Sequence, residues 1–183
     1  MAVSGYLNAI PREFDYMISI PNNEMRDVFG EMMSDHIQKG SAPTFKKLFV
    51  GFERNDMNLI KGSLTMILDN NIPFILLSKE KDYQLIIGAA AMSSEGKYEI
   101  YLEKESGNGR ADIIMKPRRS GLPSVIIELK KTRAKKDMQT YAERALFQIR
   151  EKDYFHSMKG RILAYGICFN GKNFEVVSEE TVN

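Results

Sequence analysis

The sequence predicts an α/β protein: a helical N-terminal part carrying a β-hairpin, then a mixed sheet flanked by helices. Three observations predict it. The second half alternates a helical pattern, three β-rich runs, another helical pattern and two more β-rich runs, in the order α-β-β-β-α-β-β. Residues 24–68 instead carry apolar side chains at the helical period. And 183 residues suffice for one ordinary domain, or one domain with an appended subdomain. The expected division is 1–76, hairpin plus helical subdomain, and 77–183, the sheet-containing core.

The elements follow in order. Phe14-Asp15-Tyr16-Met17-Ile18-Ser19-Ile20 alternates like an edge strand and pairs with the segment before it, so residues 1–22 read as a hairpin. Asn22 or Asn23 caps a helix over residues 24–38, whose Met25, Val28, Phe29, Met32, Met33 and Ile37 recur at the helical spacing. Gly40-Ser41-Ala42-Pro43 is a break, and Thr44 is positioned to cap a helix with Phe45, Leu48, Phe49 and Phe52 on one face. A further helix over 55–68 aligns Met57, Ile60, Leu64 and Ile67. These Met and Phe stripes read as core.

From Ser78 a helix starts polar and ends apolar and small, through Gly88 to Met92. Strands are expected over 98–102, 111–115 and 124–129, joined by Ser106-Gly107-Asn108-Gly109 and by the turn-rich 117–123. A helix over 135–155 places Met138, Tyr141, Ala142, Ala145 and Ile149 on one stripe, with Gln148 on its flank. Residues 162–169 form a buried strand, Asn170-Gly171 a hairpin turn, and 174–177 a short last strand.

No apolar run approaches a membrane span, and the first residues lack a signal-peptide pattern. A single cysteine, Cys168, excludes an internal disulfide and fits a reducing, cytoplasmic setting. The net charge of +2 is unevenly spread. Arg110, Lys116, Arg118, Arg119, Lys130, Lys131, Arg133, Lys135 and Lys136 face only Asp112 and Glu128 in that stretch. Such a zone suits a phosphate backbone, and equally a solvated turn and helix start.

Charge inside the strands is the informative departure. Asp112 lies in Arg-Ala-Asp-Ile-Ile-Met, and Glu128 and Lys130 end Val-Ile-Ile-Glu-Leu-Lys. A buried unpaired charge is expensive. Alternation puts Glu128 and Lys130 on one face, and neighbouring strands bring Asp112 near Glu128. Two carboxylates and an ammonium at the end of an apolar sheet suit a hard divalent cation and an activated water. Taken singly, Asp112 reads as a turn cap, and Glu128 with Lys130 as an exposed ion pair. His36 and His156 are too isolated for a metal site or a triad. Gly107-x-Gly109 precedes a strand, so it is no nucleotide loop.

Glu105-Ser106-Gly107-Asn108-Gly109-Arg110-Ala111-Asp112, then Ile126-Ile127-Glu128-Leu129-Lys130, then Ala145-Leu146-Phe147-Gln148-Ile149 through Tyr154 resembles the PD-(D/E)XK nuclease superfamily. More closely, the chain looks like the nuclease-like domain often fused behind an AAA-ATPase-like module in bacterial proteins. Ser4-Gly5-Tyr6-Leu7 and Ile20-Pro21-Asn22-Asn23-Glu24-Met25 extend the likeness upstream. Where those relatives usually have Tyr-His, this chain has Tyr83-Gln84. No ATPase-like half is present, which leaves a fragment, an excised domain or a stand-alone protein.

The resemblance implies a restriction-endonuclease-like core and hydrolysis of DNA. Asp112 and Glu128 would bind Mg²⁺ or Mn²⁺, with Glu80 completing the shell and Glu105 a rival third carboxylate. Lys130 would position the attacking water, and Gln148 would orient Lys130, a water or a phosphate. Arg110, Lys116, Arg118, Arg119, Lys131 and Tyr154 are the candidate nucleic-acid contacts, with DNA, or RNA, as the polymer. Two other readings stand beside this one. The fold could be a catalytically silent module binding nucleic acid or a protein partner. Or residues 1–75 could dock the chain onto an AAA-ATPase-like module or into a homodimer.

Overall fold

The structure is a computed structural model; it describes residues 8–11, 16–19, 41–71, 77, 79–94, 96–106, 109–152, 154–155 and 158–183. The helix expected over 24–38 lies outside these residues, as do His36 and His156. Two short antiparallel strands come first, β1 (Asn8–Pro11) and β2 (Tyr16–Ser19). Helices α1 (Ser41–Arg54), α2 (Met57–Asn71) and α3 (Glu80–Met92) follow. Then come β3 (Tyr98–Ser106), β4 (Gly109–Pro117), β5 (Ser124–Lys131), α4 (Met138–Glu151), β6 (Arg161–Asn170) and β7 (Asn173–Val182).

The five later strands form one mixed sheet in the order β3-β4-β5-β6-β7. Only β5 and β6 are parallel, and α4 is the crossover between them. A parallel pair needs such a connection, whereas antiparallel neighbours can follow one another directly in the chain. Alternation then sorts the side chains. Val125, Ile127 and Leu129 of β5, with Leu163, Tyr165, Ile167 and Phe169 of β6, share a core with α1, α2 and α3. Ile126, Ile162 and Ala164 face α4, where Leu146 and Ile149 cover them. The sheet is therefore buried on both faces, which explains why its strands read as near-continuous apolar runs.

Aromatic contacts tie the helices to the sheet. Phe52 meets Tyr165 edge-on at 4.8 Å, and the Tyr165 hydroxyl donates to the Phe52 carbonyl at 2.8 Å. Tyr83 stacks on Phe169 at 4.2 Å and donates to the Gly171 carbonyl at 2.9 Å. Burying one such ring contributes roughly 2–3 kcal/mol. Gly166 is where α4 comes closest: a Cβ there would sit 2.2 Å from the Ala142 carbonyl oxygen.

Several boundaries differ from the sequence expectation. α1 begins at Ser41, so Thr44 lies inside the helix, buried, rather than capping it. Pro43 falls in the first turn, where a missing N–H costs nothing. The cap appears one helix later: the Asp56 carboxylate accepts the Leu59 N–H at 3.0 Å. α4 stops at Glu151, earlier than expected, and β7 runs ten residues instead of four. Its polar second half lacks an apolar signature but pairs with β6 throughout, from Asn170↔Asn173 to Arg161↔Val182. The domain boundary expected near residue 76 falls outside the described residues. On its N-terminal side, α1 and α2 bury Phe49, Phe52, Leu64 and Ile67 in the same core as the sheet. Among the described residues, no helix is long and apolar enough to cross a membrane.

Candidate active site

The site begins where two strands part. β4 and β5 pair at Met115↔Val125, Ile114↔Ile126 and Ile113↔Ile127, and the ladder ends there. Beyond it, β4 continues with β3 and β5 continues with β6. The next position on each strand is a carboxylate, Asp112 on β4 and Glu128 on β5. Their side chains replace the missing ladder bonds. Asp112 Oδ2 accepts the Leu129 N–H at 2.7 Å, and Glu128 Oε2 accepts the Asp112 N–H at 3.4 Å. Orphan backbone donors in a half-buried gap need acceptors, and here the acidic side chains supply them.

Helices wall the gap on both faces of the sheet. From α4, Gln148 Nε2 donates to Glu128 Oε1 at 2.5 Å. Lys130, two residues along the same face of β5, donates to the same oxygen at 3.0 Å. From α3, Gln84 Nε2 reaches Asp112 Oδ1 at 3.4 Å. Tyr154 is buried next to Gln148: burial raises the pKa of its phenol, and hydrogen bonding with Gln148 opposes that rise.

The electrostatics are lopsided. Glu128 is only 2% exposed. Burial first, then the Asp112 charge, pushes its carboxyl up to about 7, and Lys130 offsets only part of the rise. Burial pulls the Lys130 ammonium down, yet the charges of Glu128, Glu80 and Asp112 outweigh it and leave its pKa raised. A second cation at the pair would relieve the remaining repulsion.

The hard oxygens of Asp112 and Glu128 are the donor type a divalent ion of the magnesium class prefers. Among the described residues, no three Asp, Glu, His or Cys side chains cluster as a ligand group. Glu80, the expected third ligand, is exposed, and its Oε2 accepts the Lys131 N–H at 3.0 Å. The two carboxylates thus fit a cation whose remaining positions are filled by water or by substrate.

The structure brings Asp112, Glu128, Lys130 and Gln148 together, with Tyr154 behind them. Lys131 follows at the end of β5. The side chains of Arg110 and Glu105 lie outside the described set. Lys116, Arg118 and Arg119 stand at the other end of β4 or in the turn after it. Six residues separate Asp112 from Arg118, ~20 Å along an extended strand. Arg118 there donates to the Tyr98 carbonyl at 3.2 Å and pairs with Glu99 at 3.5 Å. With Arg119, Lys159 and Arg161 it lines a cleft of about 450 Å³ remote from the carboxylates. Gln84 was not among the sequence candidates. Two signals were available: its place, where the resembling family usually has His, and its spacing, one helical turn after Glu80 and so on the same face of α3.

No curated protein matches the chain. The solved structure of SSO0001 aligns over 88% of this chain and 80% of that one, at 12% identity and a TM-score of 0.27, too distant to carry an argument. The sequence profile of the PD-(D/E)XK nuclease superfamily matches residues 78–179, more than half of the chain and the whole of the segment that builds the gap. The mixed sheet, the parted strands and that match have one conclusion: this chain belongs to the PD-(D/E)XK nuclease superfamily.

Proposed function

We propose that the protein is a metal-dependent nuclease of restriction-endonuclease-like fold that hydrolyses DNA phosphodiester bonds. One observation carries the reading. Asp112, Glu128 and Lys130 meet in the gap between β4 and β5, with Glu128 almost fully buried and short of positive charge. Nothing in the packing of a sheet requires that trio, and an uncompensated buried carboxylate costs stability.

Asp112 and Glu128 would hold Mg²⁺ or Mn²⁺, which supplies a more acidic bound water and neutralises charge on the phosphate. Lys130 orients: its ammonium, fixed on Glu128, presents its remaining N–H donors to a water or to a phosphate oxygen. The same donors stabilise charge that builds on the phosphate. Gln148 holds Glu128 in place from α4, and Leu129 N–H holds Asp112. The apolar faces of β4 and β5 below the pair keep water away from one side of it.

Incubating the protein with supercoiled plasmid or single-stranded DNA, and with RNA in parallel, in Mg²⁺ or Mn²⁺ tests the proposal. Wild type should cleave DNA. Asp112→Asn and Lys130→Met should each cut at a rate lower by about a hundredfold or more while keeping wild-type circular dichroism. Absence of cleavage by wild type, or equal cleavage by the variants, would refute it. The position of Glu80, engaged with Lys131 rather than with the carboxylate pair, favours a second reading in which the fold binds nucleic acid without cutting. That reading expects DNA affinity to survive Glu128→Ala with no cleavage at any metal concentration.

A further inference from the structure

Two groups of basic residues stand at opposite ends of the sheet, and only one of them adjoins the carboxylates. Arg118, Arg119, Lys159 and Arg161 line the far cleft, where Arg161 is already paired with Glu180 at 2.7 Å. Arg133, Lys135 and Lys136 occupy the connection that leaves β5 directly after Lys130 and Lys131. All three are exposed, and among the described residues none forms an ion pair.

That connection is held in place by its neighbours. Thr132 is buried; its N–H donates to the Phe169 carbonyl at 3.0 Å, and its own carbonyl accepts from Asn170 Nδ2 at 3.0 Å. The Ala134 N–H donates to Thr132 Oγ1 at 3.2 Å. The three cations are thus carried on a fixed backbone, which lowers the entropy cost of using them together.

α4 adds a fourth cation on the same side. The Arg144 guanidinium lies 5.2 Å from the centre of the Tyr141 ring. Tyr141 packs against Met138, Ala142 and Cys168, and Cys168 is the register partner of Lys130 on β6. Arg144 is also four residues before Gln148, so it shares the helix face that reaches Glu128, ~6 Å along the axis.

We propose that Arg133, Lys135, Lys136 and Arg144 form a phosphate track that holds the DNA backbone on either side of the bond to be cut. The proposal rests on the nuclease reading for its substrate, and it assigns the work of backbone binding to this end of the sheet, away from Arg118 and Arg119. The aromatic ring under Arg144 keeps the guanidinium in place without neutralising it.

The test is binding of a short fluorescent DNA duplex to the full chain in EDTA, so that no cleavage intervenes, between about 50 and 200 mM salt. Removing all three loop cations (Arg133→Gln, Lys135→Gln, Lys136→Gln) should lower the slope of log affinity against log salt by about 3, and Arg144→Gln by about 1. Arg119→Gln with Lys159→Gln should leave the slope unchanged. A slope that the loop and Arg144 variants do not move, a slope carried by the far pair, or no binding at the lowest salt overturns the track. Plasmid cleavage in Mg²⁺, measured alongside, separates the two ideas. Cleavage with an unmoved slope removes the track and keeps the nuclease; track-dependent binding without cleavage does the reverse.

Discussion

Substituting Glu128 by Gln should stabilise the metal-free protein at neutral and alkaline pH. The carboxyl has a pKa of about 7 in the folded chain, against 4.5 for an ordinary glutamate. A carboxyl whose pKa is higher folded than unfolded binds its proton more tightly in the folded state. Its effect on stability is therefore absent below about pH 4.5, grows as a penalty as pH rises, and levels off above about pH 7. A gap of that size corresponds to about 3 kcal/mol. In Glu128→Gln the side-chain oxygen still accepts from Lys130 and Gln148; the long 3.4 Å bond from the Asp112 N–H is given up, and the charge is lost. Urea denaturation in EDTA from pH 4.5 to 8.5 should show wild type losing stability relative to the variant as pH rises, by about 3 kcal/mol in all. At pH 8 the variant should melt higher by about 6–12 °C. Saturating Mg²⁺ should raise wild-type stability and leave the variant's nearly unchanged, since only the charged pair rewards the ion. Two stability curves that run parallel across this pH range would show that Glu128 is not desolvated in solution, and the argument for a cation-poor pair would go with it.

Two further outcomes follow from the packing. Gly166→Ala should destabilise by about 3 kcal/mol or more, read by urea denaturation, because the new Cβ would lie 2.2 Å from the Ala142 carbonyl and 2.6 Å from the Leu146 nitrogen. Any folded fraction should cleave slowly, since α4 must shift and carry Gln148 away from Glu128. Tyr98→Phe should be neutral or stabilising by about 1 kcal/mol, because the Tyr98 hydroxyl is fully buried with no hydrogen-bond partner among the described residues. A loss of more than 1 kcal/mol in thermal or urea unfolding would show that this hydroxyl has a partner in solution.

Much of the fold was legible because its signals are local. Runs such as Ser124–Lys131 and Arg161–Asn170 are apolar on both faces and short, which marks interior strands. The stripe Met138, Ala142, Ala145, Ile149 marks a helix covering them. Less legible were elements whose signal depends on a partner. β7 has a polar outer half and is a strand only because β6 lies beside it. Thr44 looked like a cap because helix starts compete locally, and Ser41–Pro43 won. In the candidate site, Asp112, Glu128 and Lys130 stood out because charge is costly in such strands. Gln84 stood out only as a departure from the Tyr-His of the resembling family and not as a site residue, since a glutamine on a helix has many ordinary uses.

By itself the sequence determined which residues are anomalous: three charges in apolar strands, and a basic run after Lys130. It also determined which face of each strand they occupy, since alternation is a property of the extended backbone alone. What only the tertiary structure decided is where those faces meet. The ladder between β4 and β5 ends one position before Asp112 and Glu128, turning two strand residues into a gap closed by their own carboxylates. Which cations sit beside that gap was likewise settled by the path of the chain. Arg118 is six residues from Asp112 yet ends up at the far end of the sheet, while Tyr141, much further along the sequence, is returned by α4 to pack against Cys168, the register partner of Lys130 on β6. An extended strand carries its residues apart, ~3.3 Å at each step, and a crossover helix brings distant ones back.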